Sequence, residues 1–132
     1  MIAAGARYFA IVFAIAFVFG TIRTLWLAPA IGATAAVLVE LPLILIVSAV
    51  AARWIVRSCR LTRGGTLGAG AVAFALLMAA EAGLAVFAFG ISLSAWAASL
   101  VAMPGVIGLG GQLGFALMPW LWSALAHRRA GA

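Results

Sequence analysis

Three side chains in this sequence could do chemistry from within long apolar runs: Arg23, Glu40 and Glu81. An ionised side chain at the centre of a bilayer costs about 2.5–3.5 kcal/mol on insertion scales, so such residues face a protein interior and find partners there. One guanidinium cannot neutralise two carboxylates. If all three share an interior, the two glutamates form a coupled pair that holds and releases protons as a unit. A proton-coupled transporter needs such a pair. The same residues would also serve a hydrogen-bonded polar core that orients helices, and the sequence favours that plainer reading.

Little else in the chain offers reactive groups. There is no glycine-rich phosphate loop, nucleophile elbow or metal-ligand cluster. His127 is the only histidine and sits beside Arg128 and Arg129 near the C-terminal end, too far along for a haem ligand at bundle depth. Cys59 is the single cysteine, which excludes an intramolecular disulfide. The chain therefore reads as a non-enzyme without a metal or cofactor.

The elements that must hold these residues follow from composition. The chain is 68% apolar and 8% charged, against about 45–50% and about 25% for a soluble domain. It cannot cover itself with polar groups in water, so the sequence implies an integral membrane protein. A helix needs about 20 apolar residues to cross the hydrocarbon core. The sequence predicts an all-α, four-transmembrane-helix bundle filling one domain over 1–132, with spans at about 8–28, 31–56, 66–91 and 104–126. Ala28-Pro29 is expected to end the first span, Thr66 to cap the third, and Pro104 to open the fourth as a first-turn proline. Between the last two spans, the Ser92–Val101 segment reads as a short interfacial helix capped by Ser94. A plain loop is the alternative. Signal-peptide cleavage near Ala28-Pro29-Ala30 is disfavoured by Arg23.

All the basic residues are arginine, and the formal net charge is +6. Nucleic acid is not the implied partner, because most arginines flank apolar spans. Arg53, Arg57, Arg60 and Arg63 surround the connection between spans two and three, Arg7 precedes span one, and Arg128 and Arg129 follow span four. The connections near Pro29 and Trp96 are uncharged. By the positive-inside rule both termini and the basic connection are cytoplasmic, in a bacterial inner membrane. Trp26 and Trp96 then fall near the outer interface, and Trp54, Trp120 and Trp122 near the inner one.

Depth pairs the charges. At 1.5 Å per helical residue, Arg23 lies roughly 6–8 Å and Glu40 roughly 12–14 Å below the outer surface. Side chains tilt toward their own helix N-terminus, so on these antiparallel helices the two lean together. A salt bridge from Arg23 to Glu40 is predicted. Glu81 lies at about 15 Å, close to the depth of Glu40. Two prolines disturb their helices: Pro42 frees the carbonyl of Leu38, and Pro119 frees that of Phe115. Gly110 and Gly114 form a small-xxx-small pair where another helix could approach closely, with Gln112 placed to hydrogen-bond across the contact. That contact could be internal or with a second chain.

The succession Gly20-Thr21-Ile22-Arg23, Ala28-Pro29, Glu40-Leu41-Pro42, Ala52-Arg53, Ala80-Glu81, Ser92-Leu93-Ser94 and Phe115-Ala116-Leu117-Met118-Pro119 resembles small four-span inner-membrane proteins of high-GC proteobacteria. This resemblance covers most of the chain and implies no activity. The chain also matches small multidrug resistance transporters in size and in having a membrane-embedded glutamate. Its first span, however, carries Arg23 instead of that glutamate, so the likeness is an analogy of mechanism alone. The sequence is best read as a non-catalytic accessory or structural membrane protein, packed against itself or a larger membrane complex. The alternative is a small proton-coupled transporter using Glu40 and Glu81.

Overall fold

The computed structural model describes residues 2–103 and 105–131, which are all-helical apart from short connections. Five helices follow in order: α1, Ile2–Ile31; α2, Ala33–Ser58; α3, Arg63–Ala88; α4, Leu93–Ser99; and α5, Gly105–Gly131. α1, α2 and α3 are long and apolar enough to cross a membrane. α5 matches them in length but is less apolar, because Gln112 and several glycines occupy its first half. Large apolar side chains face outward: Ile46 is 62% exposed and Val50 67%. Such faces suit lipid and not water.

Several boundaries differ from the sequence expectation. Pro29 does not end the first helix. The chain widens into a π-turn over Arg23–Leu27, with the Ala28 N–H bonded to the Arg23 carbonyl five residues back. A proline ring normally clashes with the carbonyl four residues before it, and the wider turn relieves that conflict. The helix continues to Ile31 and stops at Gly32, whose φ of 91° favours glycine. α3 starts one turn earlier than expected. Thr62, not Thr66, caps it, its Oγ accepting from the Gly65 N–H at 3.0 Å. Thr66 sits inside the first turn and donates to the Arg63 carbonyl at 2.6 Å. α3 ends in a second π-turn at Leu84–Ala88, before Gly90 at φ 66°. Ser92, not Ser94, caps α4 by accepting from the Ala95 N–H at 3.1 Å. Pro104, the expected opening of the last helix, lies outside the described residues.

The packing order differs from the chain order. α1 packs on α2 and α3, and α5 packs on the same two helices. The consecutive helices α2 and α3 therefore stand on opposite corners, with α5 inserted between them. Close approach depends on small residues. A Cβ at Gly5 would come within 2.6 Å of the Ala69 carbonyl oxygen, and one at Gly70 would collide with the Ala116 carbonyl. Around these contacts Ala4, Tyr8, Ala52, Ile55, Ala69 and Ala73 form a tightly packed core toward the basic end.

The proline in α5 has a structural consequence. α5 continues past Pro119, which is fully buried. The Phe115 carbonyl that Pro119 cannot bond accepts a hydrogen bond from the Tyr8 hydroxyl at 2.6 Å. The Tyr8 and Phe115 rings stack with centroids 4.5 Å apart. Tyr8 thus satisfies, from α1, an acceptor that a proline opened in α5. Tyr8→Phe should destabilise the bundle by about 1–2 kcal/mol, because the carbonyl is left unsatisfied. In a Pro119→Ala background, where the restored N–H can bond that carbonyl, the same change should cost less. Thermal unfolding of the four proteins in detergent checks both expectations.

Candidate functional site: a cavity reached by the in-span charges

Above the Tyr8–Phe115 stack the bundle opens into a cavity of about 310 Å³. Its walls come from every helix: Phe13 and Arg23 of α1, Glu40 and Ile44 of α2, Leu77 and Glu81 of α3, and Gly108 and Gln112 of α5. Trp96 and Ser99 of α4, with Leu100 just after it, complete the lining. Trp96 therefore lines the cavity, where the sequence placed it as an interfacial anchor.

All three in-span ionisable residues reach this space. The Arg23 guanidinium, through Nε, forms an ion pair with the Glu40 Oε2, joining α1 to α2 across the Gly32 turn. The Arg23 side chain is 33% exposed and that of Glu40 16%, so the pair is shielded without being sealed. Glu81 has a different partner. Its Oε1 accepts from the Gln112 Nε2 at 2.6 Å, tying α3 to α5. The Gln112 Oε1 is buried with no partner among the described residues. The three residues expected to share an interior thus face one cavity as an ion pair and a carboxyl–amide pair.

The remaining predicted site residues are placed as follows. Pro42 lies on the exposed face of an unbroken α2, away from the cavity lining. Pro119 is buried beneath the cavity. Gly114 faces Leu45 of α2, where a Cβ would stand 3.0 Å from the Leu45 Cδ2. Gly110 points outward with nothing nearby. Within one chain the two glycines do not share a contact, and the tight approach is at Gly70 and Ala116. Gln112 bonds across helices, but to Glu81 in the cavity and not at a glycine seam.

Two residues with clear roles were missed from sequence: Tyr8, as the donor to Phe115, and Trp122. The Trp122 Nε1 donates to the Ala49 carbonyl at 2.7 Å. With the other links, this gives cross-helix polar contacts for α1–α2, α3–α5, α1–α5 and α2–α5. The signal for Tyr8 was present, since it is the chain's single tyrosine and it lies on an apolar run. A buried hydroxyl there needs an acceptor.

Comparison with known proteins finds no matching family model, no matching curated relative and no matching solved structure. The reading of function rests on the chain's own geometry.

Proposed function

We propose that this chain is a four-span protein of the bacterial inner membrane that acts without covalent catalysis, as an accessory or structural member of a membrane assembly. α5 is counted as the fourth span on its length. Its 27 residues extend about 40 Å at the helical rise, more than a bilayer core requires. Arginine placement sets both termini and the connection between α2 and α3 on the cytoplasmic side. α4 then lies at the outer surface. The observation that carries the accessory reading is the set of four polar links between different helix pairs. They give each in-span ionisable side chain a protein partner and cross-tie the bundle. The stacked Tyr8 and Phe115 rings lie buried beneath the cavity, between it and the basic end.

A second reading has one observation in its favour. Carboxyls set around a water-sized space are what proton-coupled transport of a small polar solute would use, and 310 Å³ is room for about ten waters at ~30 Å³ each. On that reading Glu40 and Glu81 carry the proton.

Reconstitution into proteoliposomes separates the two. Under the accessory reading the protein shows no flux driven by a pH gradient, Glu40→Gln and Glu81→Gln change nothing in that assay, and gentle-detergent purification brings a stoichiometric membrane partner or a homo-oligomer. Gradient-driven flux abolished by either glutamine variant, in protein that still folds, would replace it with the transport reading.

A further inference from the structure

The chain has only two acidic side chains, Glu40 and Glu81. Both belong to the cavity cluster at the uncharged end, so the arginines at the other end have no carboxylate side chain to pair with. Among the described residues the one ion pair is Arg23–Glu40. Two of those unpaired arginines, Arg53 and Arg57, lie one turn apart on α2 and line a groove of about 410 Å³ shared with α5. The rest of the groove is apolar: Val56, Leu125 and Ala126, with Trp122.

One of the two cations is already positioned. The Arg53 guanidinium sits 5.6 Å from the centre of the Trp122 ring, a cation–π contact. The Trp122 ring is itself pinned by its hydrogen bond to Ala49. An occupant that satisfied the whole groove would carry an anion with several acceptor oxygens for two guanidinium forks. It would also carry a hydrocarbon portion to cover Val56 and Leu125. Free phosphate supplies the first and leaves the apolar wall bare.

We infer that the groove between α2 and α5 at Arg53, Arg57 and Trp122 is a binding site for one anionic phospholipid, its headgroup phosphate held by the two arginines. The inference rests on the membrane reading above and is independent of the cavity. Basic recesses between helices on the cytoplasmic side favour anionic headgroups, with about a fivefold gain per arginine near the surface.

The test uses the full-length protein in mild detergent, with phosphatidylglycerol and phosphatidylcholine of identical acyl chains as probes and retention read by native mass spectrometry. One phosphatidylglycerol per chain should be retained at least about tenfold more tightly than phosphatidylcholine. The Arg53→Gln/Arg57→Gln double variant should weaken it roughly thirtyfold. Arg57→Gln alone should weaken it about fivefold, which keeps the test decisive if the double variant does not fold. Arg60→Gln, which removes a charge at the same end but outside the groove, should leave retention unchanged. Equal retention of the two lipids would overturn the inference. So would displacement of the lipid by millimolar inorganic phosphate, or an Arg60→Gln effect as large as that of Arg57→Gln. A chain that retained neither lipid and stayed soluble without detergent would instead contradict the membrane reading itself.

Discussion

Gly70→Ala should lower the stability of the bundle by about 2–4 kcal/mol, although alanine is the better helix former. In an exposed helix the change would gain about 1 kcal/mol. At Gly70 the added Cβ collides with the backbone carbonyl of Ala116 on α5. A carbonyl in a helix cannot rotate aside as a side chain can. α3 and α5 must therefore separate, loosening contacts along both. Gly110→Ala is the matched control. That glycine is exposed with open space around it, so the substitution should be neutral or slightly stabilising. The midpoint of thermal unfolding in detergent distinguishes the two. A Gly70→Ala protein as stable as the parent would mean that α3 and α5 are not in backbone contact.

Arg23→Gln should be the second costly change, at about 1–3 kcal/mol. Removing one partner of a fully buried ion pair costs about 3–5 kcal/mol. The partial exposure of Arg23 brings this below that range through solvent screening. Glu40→Gln should cost about 1 kcal/mol less than Arg23→Gln, because the two deletions leave different remainders. Without Glu40, the arginine still faces the cavity that Glu81 lines, and its long stem can carry the guanidinium to the surface. Without Arg23, two carboxyls share a cavity with no cation, and glutamate is too short to escape. Denaturation in mixed micelles at neutral pH measures the order. Equal losses would mean that Glu81 does not sense the missing cation.

What the sequence revealed and what it concealed divide along a physical line. The pairing of Arg23 with Glu40 was legible because it depends only on depth, on tilt along the helix and on a tight turn between neighbours. The freed carbonyl at Phe115 was legible because Pro119 creates it locally. Its donor was not, because Tyr8 meets α5 only when α5 inserts between α2 and α3, and no periodicity reports that order. The Gln112–Glu81 contact and the cavity depend on the same insertion. The placement of the Pro29 boundary failed for another reason. Proline reads as a helix stop, but a π-turn just before it lets the helix continue until Gly32, where φ is positive. Thr62 and Ser92 displaced Thr66 and Ser94 as caps because two acceptors of equal chemistry stood near each start, and only the backbone conformation separates them. The outward direction of Gly110 could not be read from glycine spacing, since a small-residue pair shows where helices can approach but not which one does.

The in-span charges of this bundle are held by protein partners, Arg23 and Glu40 by each other. A double-mutant cycle over Arg23→Gln and Glu40→Gln, read as unfolding free energy in detergent, measures this most directly. The double variant should lose less than the sum of the single losses, with a coupling of about 1–2 kcal/mol. Losses that add to within about 0.5 kcal/mol would show that the two charges do not meet inside the protein, and would contradict that pairing.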